Sequence, residues 1–224
     1  MKKTDLKMRL FKTSPQNLLK ITAVLIMCVC TFATTISCDE KKKEATTISL
    51  DGTYEFLEDN GVKVFIPNGF ERISLATFTS FAKENKKNKQ AQYTLRYINE
   101  LKQKKGNVYI FLNKETGATV ITNTMEFMSF NKEDAQQLLG MMTMNNDRVA
   151  EDTKLEYKKM TAKYNHMEGH DIFKSVYQVD DTSRKGKSWY NNSYIMTANG
   201  KTIYIQLASE TDINYDPFVL KTKM

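Results

Sequence analysis

The chain has 224 residues, with 33 Lys and Arg against 26 Asp and Glu and a formal charge of +7 at neutral pH. Six of the basic residues and one acid fall in residues 1–37, so positions 38–224 hold 27 basic and 25 acidic residues; a nucleic-acid binder, which needs a standing basic surplus, is excluded. All three cysteines lie at or before position 38, which excludes a disulfide framework, a thiol nucleophile and a thiolate metal site from everything that follows.

Lys2, Lys3, Lys7, Arg9, Lys12 and Lys20 form a positive N-terminal flank with Asp5 as its one acid, the charge pattern that holds the start of an export signal on the cytoplasmic side. Residues 21–36 then run sixteen positions without a charge, four of them threonine. A spanning helix needs about 20 apolar residues, so the run reads as an export signal and not as a transmembrane segment. It ends on Thr35-Ile36-Ser37-Cys38, where Cys38 follows a small residue, whereas Cys28 follows Met27 and Cys30 follows Val29. This ending resembles the lipobox of bacterial lipoproteins, although Thr35 stands where that signal usually has Leu. The resemblance implies cleavage between Ser37 and Cys38, acylation of Cys38 and a permanent tether, because two acyl chains hold a membrane where one is marginal. An ordinary signal peptide or an uncleaved amphipathic anchor is the alternative. Asp39 and Glu40 resemble a surface-export signal of some Gram-negative phyla, while in enteric bacteria an Asp at that place resembles inner-membrane retention. The expected organisation is a signal over 1–37, a lipidated cysteine and polar tether over 38–50, and one domain over 51–224. The expected address is the envelope of a Gram-negative-type bacterium, outer membrane or cell surface ahead of inner membrane.

Within the domain, apolar-aromatic runs at 53–57 and 62–66 flank Asp59-Asn60-Gly61, and Asn-Gly is the strongest short hairpin signal. Leu75, Phe78 and Phe81 recur at helical spacing. Tyr93, Tyr97 and Leu101, with Leu95 and Ile98, predict an amphipathic helix over 90–104 stopped by Gly106-Asn107. Strands are predicted over 108–112 and 118–125. Asn131, with Asp134 three residues on, caps a helix whose buried face is Ala135, Leu138, Leu139, Met142 and Val149. Four runs, 155–164, 171–179, 187–197 and 201–208, are separated by turn residues at Gly169, 180–186 and Asn199-Gly200, which predicts an antiparallel meander.

This order, with the strand Val62-Lys63-Val64-Phe65-Ile66 running into Pro67-Asn68-Gly69-Phe70 and the closing hairpin at Asn199-Gly200-Lys201-Thr202, resembles the PsbP-like superfamily over about residues 53–216. That superfamily includes the extrinsic photosystem II subunit P, a Ran-binding nuclear import factor and many small bacterial lipoproteins. The resemblance implies an α+β fold, a single antiparallel β-sheet with helices packed on both faces (an α/β/α sandwich). It also implies a longer terminal helix than residues 212–224 can supply.

Few residues suggest chemistry. His166 and His170 are the only histidines; their four-residue spacing suits a zinc pair on a helix, but Gly169 and the strand-like flanks make a solvated turn the plainer reading. Trp189, Tyr190 and Tyr194 share a strand, with Tyr190 and Tyr194 on one face and Trp189 on the other. They are the candidate ligand-binding residues if exposed, and core packing if not. Lys83, Lys86, Lys87 and Lys89 read as a solvated turn, or as a patch for anionic headgroups or an acidic partner. Met125, Met128, Met141, Met142 and Met144 read as core filling, or as an adaptable binding surface or soft-metal ligands. There is no Gly-rich phosphate loop and no Gly-x-Ser-x-Gly elbow. The expectation is a membrane-anchored, non-enzymatic lipoprotein without a cofactor or metal that binds a partner protein or supports an envelope complex. The alternative is a small-ligand or glycan-binding lipoprotein using the strand around Trp189.

Overall fold

A computed structural model describes residues 50–167, 169–183 and 188–224. The chain enters through β1 (Gly52–Leu57) and β2 (Val62–Pro67), paired antiparallel with Leu57 opposite Val62. The turn closes where the sequence predicts: the backbone N–H of Gly61 donates to the Leu57 carbonyl at 2.9 Å, and the Asn60 side chain accepts from the Val62 N–H at 3.1 Å. This hairpin does not join the main sheet, which corrects the expectation of a single sheet. An isolated two-stranded ribbon is marginal in water. Here the hairpin is held by laying Leu57, Val62, Val64 and Ile66 flat on the larger sheet, in one core cluster with Phe111, Val120, Ile203, Ile205 and Leu207.

The larger sheet has seven antiparallel strands in the order β3-β4-β5-β9-β8-β7-β6. They are β3 (Glu71–Ile73), β4 (Val108–Leu112), β5 (Thr119–Met125), β6 (Leu155–Met167), β7 (His170–Asp181), β8 (Ser188–Ala198) and β9 (Lys201–Ser209). β6 to β9 form the predicted meander. Asn199 and Gly200 both take positive φ, 49° and 70°, the left-handed pair that a tight two-residue hairpin requires between Ala198 and Lys201. β6 is an open edge. It carries Lys158, Lys159 and Lys163 and a register irregularity between Lys159 and Thr161, both of which discourage edge-to-edge pairing.

Three helices cover one face: α1 (Leu75–Glu84), α2 (Lys89–Leu101) and α3 (Lys132–Asp152). Each starts on a side-chain cap, Ser74 accepting from the Thr77 N–H, Asn88 from the Ala91 N–H, and Asn131 in a reciprocal capping box with Asp134. Phe78, Ile98, Leu101 and Ala135 carry them onto Ile110, Ile121, Phe173 and Ile195 of the sheet. The opposite face is covered by the hairpin and by the C-terminal segment, whose one helix, α4 (Asp216–Val219), is a single turn. The two faces are therefore unlike, three helices against one ribbon, where helices on both were expected. Alternation along β8 sends Ile195 to the helices and Tyr194 and Met196 to the hairpin, so this interior strand is buried on both sides.

Candidate functional site

Between α2 and α3 a cleft of about 720 Å³ opens onto the sheet. Tyr93, Tyr97 and Glu100 line it from α2, and Leu138, Met141 and Arg148 from α3. Its floor is made by the strand positions that point toward the helices: Tyr177 of β7, Asn191 and Ser193 of β8, Tyr204 and Gln206 of β9. These floor positions are polar, where a sheet face covered by helices would ordinarily be filled with aliphatic side chains.

The floor is internally bonded with one exception. Ser193 and Tyr204 share a hydroxyl hydrogen bond of 3.0 Å, the Tyr204 hydroxyl donates to Gln206 Oε1 at 3.0 Å, and Thr143 and Tyr177 share another at 3.0 Å. The buried Asn191 Oδ1 has no partner among the described residues. A buried acceptor without a donor is unfavourable by about 1–3 kcal/mol, so it marks a place where another molecule can bond. Tyr93 and Tyr97 stack at 6.3 Å between ring centres, and Tyr97 meets Tyr204 edge-on at 6.1 Å. Burial pushes the Tyr93 and Tyr97 hydroxyls up and the Tyr204 hydroxyl up to about 12. All three remain neutral hydroxyls at physiological pH. The cleft therefore offers aromatic contact and neutral hydrogen bonds, with Glu100, Lys104 and Arg148 as its charged margin.

The three aromatic residues of β8 are buried: Trp189, Tyr190 and Tyr194 are 3%, 7% and 1% exposed. An exposed stacking platform is not formed, because β8 lies inside the sheet and is covered on both faces. Tyr194 donates to Asp216 at 2.7 Å, and Lys174 reaches the same carboxylate oxygen at 2.6 Å, which fastens α4 to the sheet. Trp189 packs against Tyr93 with ring centres 6.1 Å apart, and its indole N–H has no partner among the described residues.

The remaining candidates are scattered. Ser37 and Cys38 lie outside the described residues. His166 sits on β6 and His170 on β7, across the end of their hairpin, and His166 Nδ1 bonds Asp171 at 2.8 Å. Among the described residues no group of three or more His, Cys, Asp and Glu side chains is placed to hold a metal ion. The lysines at 83–89 end α1, form the turn and begin α2. The methionines divide. Met128 and Met142 pack against the helix-side core, but Met141 and Met144 are 59% and 73% exposed and Met125 is exposed as well, so core filling describes only part of the group. Nothing in the sequence pointed to Asn191, Ser193 and Gln206 as a site. Their polarity at inward positions of β8 and β9 was the available signal.

An α+β domain with a seven-stranded antiparallel sheet and a helix-walled cleft is the class that the fold defines. No protein-family model matches the chain, and no curated protein does either. Among solved structures, the chain is similar to cyanobacterial PsbP (CyanoP) from Synechocystis sp. PCC 6803, with 13% identity, a TM-score of 0.49, and coverage of 79% of this chain and 94% of that one. It is also similar to the Saccharomyces cerevisiae Ran-binding protein Mog1p, with 8% identity, a TM-score of 0.41, and coverage of 75% and 80%. Among the described residues no helix is long and apolar enough to cross a membrane.

Proposed function

We propose that this chain is a lipid-anchored, non-enzymatic envelope lipoprotein with a PsbP-like domain, and that the domain binds a segment of a partner protein in the cleft between α2 and α3. The anchor reading rests on the sequence: a basic flank, an uncharged run of sixteen residues and Cys38 after Ser37. The PsbP-like reading rests on the succession of the N-terminal hairpin, its Pro67-Asn68-Gly69-Phe70 exit, the helical middle and the closing meander.

The observation that carries the binding reading is the cleft itself. Its tyrosines are of the residue type that dominates binding energy at protein interfaces. Met141 and Met144 give α3 a flexible apolar surface of the kind adaptable binding faces use. The unpartnered Asn191 Oδ1 accepts well from a peptide N–H. Hydroxyls and amides on the floor supply the donors and acceptors that a bound peptide backbone needs.

The test is crosslinking of the full chain in its native membrane, followed by mass spectrometry, for the wild type and for Met141→Glu. Met141 is largely exposed on α3, so the variant should fold normally while a charge in the cleft weakens capture at least tenfold. Equal capture of the same partner by both proteins would remove the cleft from the proposal.

A further inference from the structure

A second recess, of about 550 Å³, lies where the turn between α1 and α2 meets the ends of β7, β8 and β9. It shares no lining residue with the α2–α3 cleft. Two of its lining groups are deeply buried and lack a hydrogen-bond partner among the described residues. One is the indole N–H of Trp189, a donor; the other is Oε1 of Gln90, an acceptor. The orientation of Gln90 is fixed, because its Nε2 donates to the carbonyls of Gly117 at 3.2 Å and Ala208 at 3.0 Å. The amide is held by the β4–β5 turn and by β9, and its oxygen is the end left over.

An occupant that answers both groups must accept from Trp189 and donate to Gln90. A hydroxyl does both with one atom, and vicinal hydroxyls do so with two. The rim narrows the choice further. Among the described lining residues Lys86, Lys87 and Lys89 are matched in number by Glu84, Asp181 and Glu210, so these side chains together favour neither an anion nor a cation. Apart from the lysines, the lining consists of amides, carboxylates, one serine and one indole, groups that donate to or accept from hydroxyls in a plane. The volume falls inside the roughly 300–1,000 Å³ range of small-ligand pockets.

We infer that this recess is a carbohydrate subsite for a neutral sugar of one or two rings, with Trp189 donating to a sugar oxygen and Gln90 accepting from a sugar hydroxyl. Trp189 lines the recess, and its buried ring packs against Tyr93 at a tilt of 46° with centres 6.1 Å apart. The sugar is held by hydrogen bonds, and the stacking that an exposed tryptophan would give is not used.

Trp189 is the only tryptophan in the chain, so its emission reports on the recess directly. The full-length protein, in a detergent without a sugar headgroup, is titrated with glucose, galactose, mannose, N-acetylglucosamine, maltose and cellobiose, and with inorganic phosphate and glutamate as charged comparators. At least one neutral sugar is expected to shift the emission saturably. Calorimetry should then show Trp189→Phe weakening that sugar by about tenfold, the loss of one buried hydrogen bond. Glu210→Ala, on the exposed rim, keeps the core intact and should weaken it severalfold. Met141→Glu should leave sugar binding unchanged, which separates this site from the partner cleft. The inference is overturned if no sugar shifts the emission, if only phosphate or glutamate does, or if sugar binding survives both Trp189→Phe and Glu210→Ala.

Discussion

Glu58 and Asp59 sit in the turn between β1 and β2, and they hold the separate hairpin to the edge of the main sheet. Arg72 of β3 donates to both Glu58 oxygens, at 2.8 and 2.9 Å, and to the Phe56 carbonyl at 3.3 Å, with its guanidinium 4.7 Å from the centre of the Tyr109 ring. Tyr109 of β4 donates to Asp59 at 2.8 Å, and Thr124 of β5 donates to the other oxygen of the same carboxylate. The Arg72 hydrogen bonds hold the Glu58 carboxyl down at about 2, against an ordinary 4.5. A carboxyl lowered on folding stabilises the protein above its unfolded value, and that contribution fades as pH falls through the folded one. Glu58 therefore adds stability above about pH 4.5 that is gone below about pH 2. Arg72→Ala should return the carboxyl toward its ordinary range, seen by NMR titration, and flatten the stability profile across that window. The pair is exposed, so the neutral-pH effect is small. A Glu58 titration that does not move in Arg72→Ala would mean that the arginine is not its determinant.

Among the elements, the C-terminal segment carries the most weight for its length. Tyr215, Phe218 and Val219 are buried against the hairpin, Phe218 stacks on Phe65 and Tyr215, and the Lys63 and Lys223 backbones exchange two hydrogen bonds of 2.9 Å along the free edge of β2. Phe218→Ala opens a cavity between two layers and should destabilise by about 3–5 kcal/mol in a denaturant titration. A loss below about 1 kcal/mol would show that the segment is dispensable. This layer was poorly legible in the sequence, and the reason is physical. Caps and tight turns are local chemistry, so Asn131 with Asp134, and Asn199 with Gly200, announced a helix start and a hairpin correctly. Strand order is not local. Nothing near β1 and β2 says whether they join a sheet edge or lie across its face, and β3 is only three residues long, too short to show alternation. The same gap hid the sites. Whether Trp189 is a surface platform or a buried edge depends on which strands flank β8, and the floor residues Asn191, Ser193 and Gln206 meet only when β8 and β9 pair beneath α2 and α3.

On the scale of the whole molecule, the described residues form one unit with a core cluster on each face of the sheet, and the part beyond residue 37 is nearly balanced in charge. The proposed anchor places the address in residues 1–40. On that proposal, acylation of Cys38 and sorting by Asp39 and Glu40 would be separable steps, because acylation would need the cysteine and its small predecessor while sorting would read the residues that follow. Cys38→Ala should leave the protein soluble or unprocessed. The double variant Asp39→Ala, Glu40→Ala should stay in the membrane fraction, yet become protected from protease added to intact cells that degrades the wild type. If the wild type is itself protected, the surface assignment fails and the anchor faces the periplasm. If the double variant is still degraded, the acids are only part of the solvated tether, and the route outward is set elsewhere in the chain.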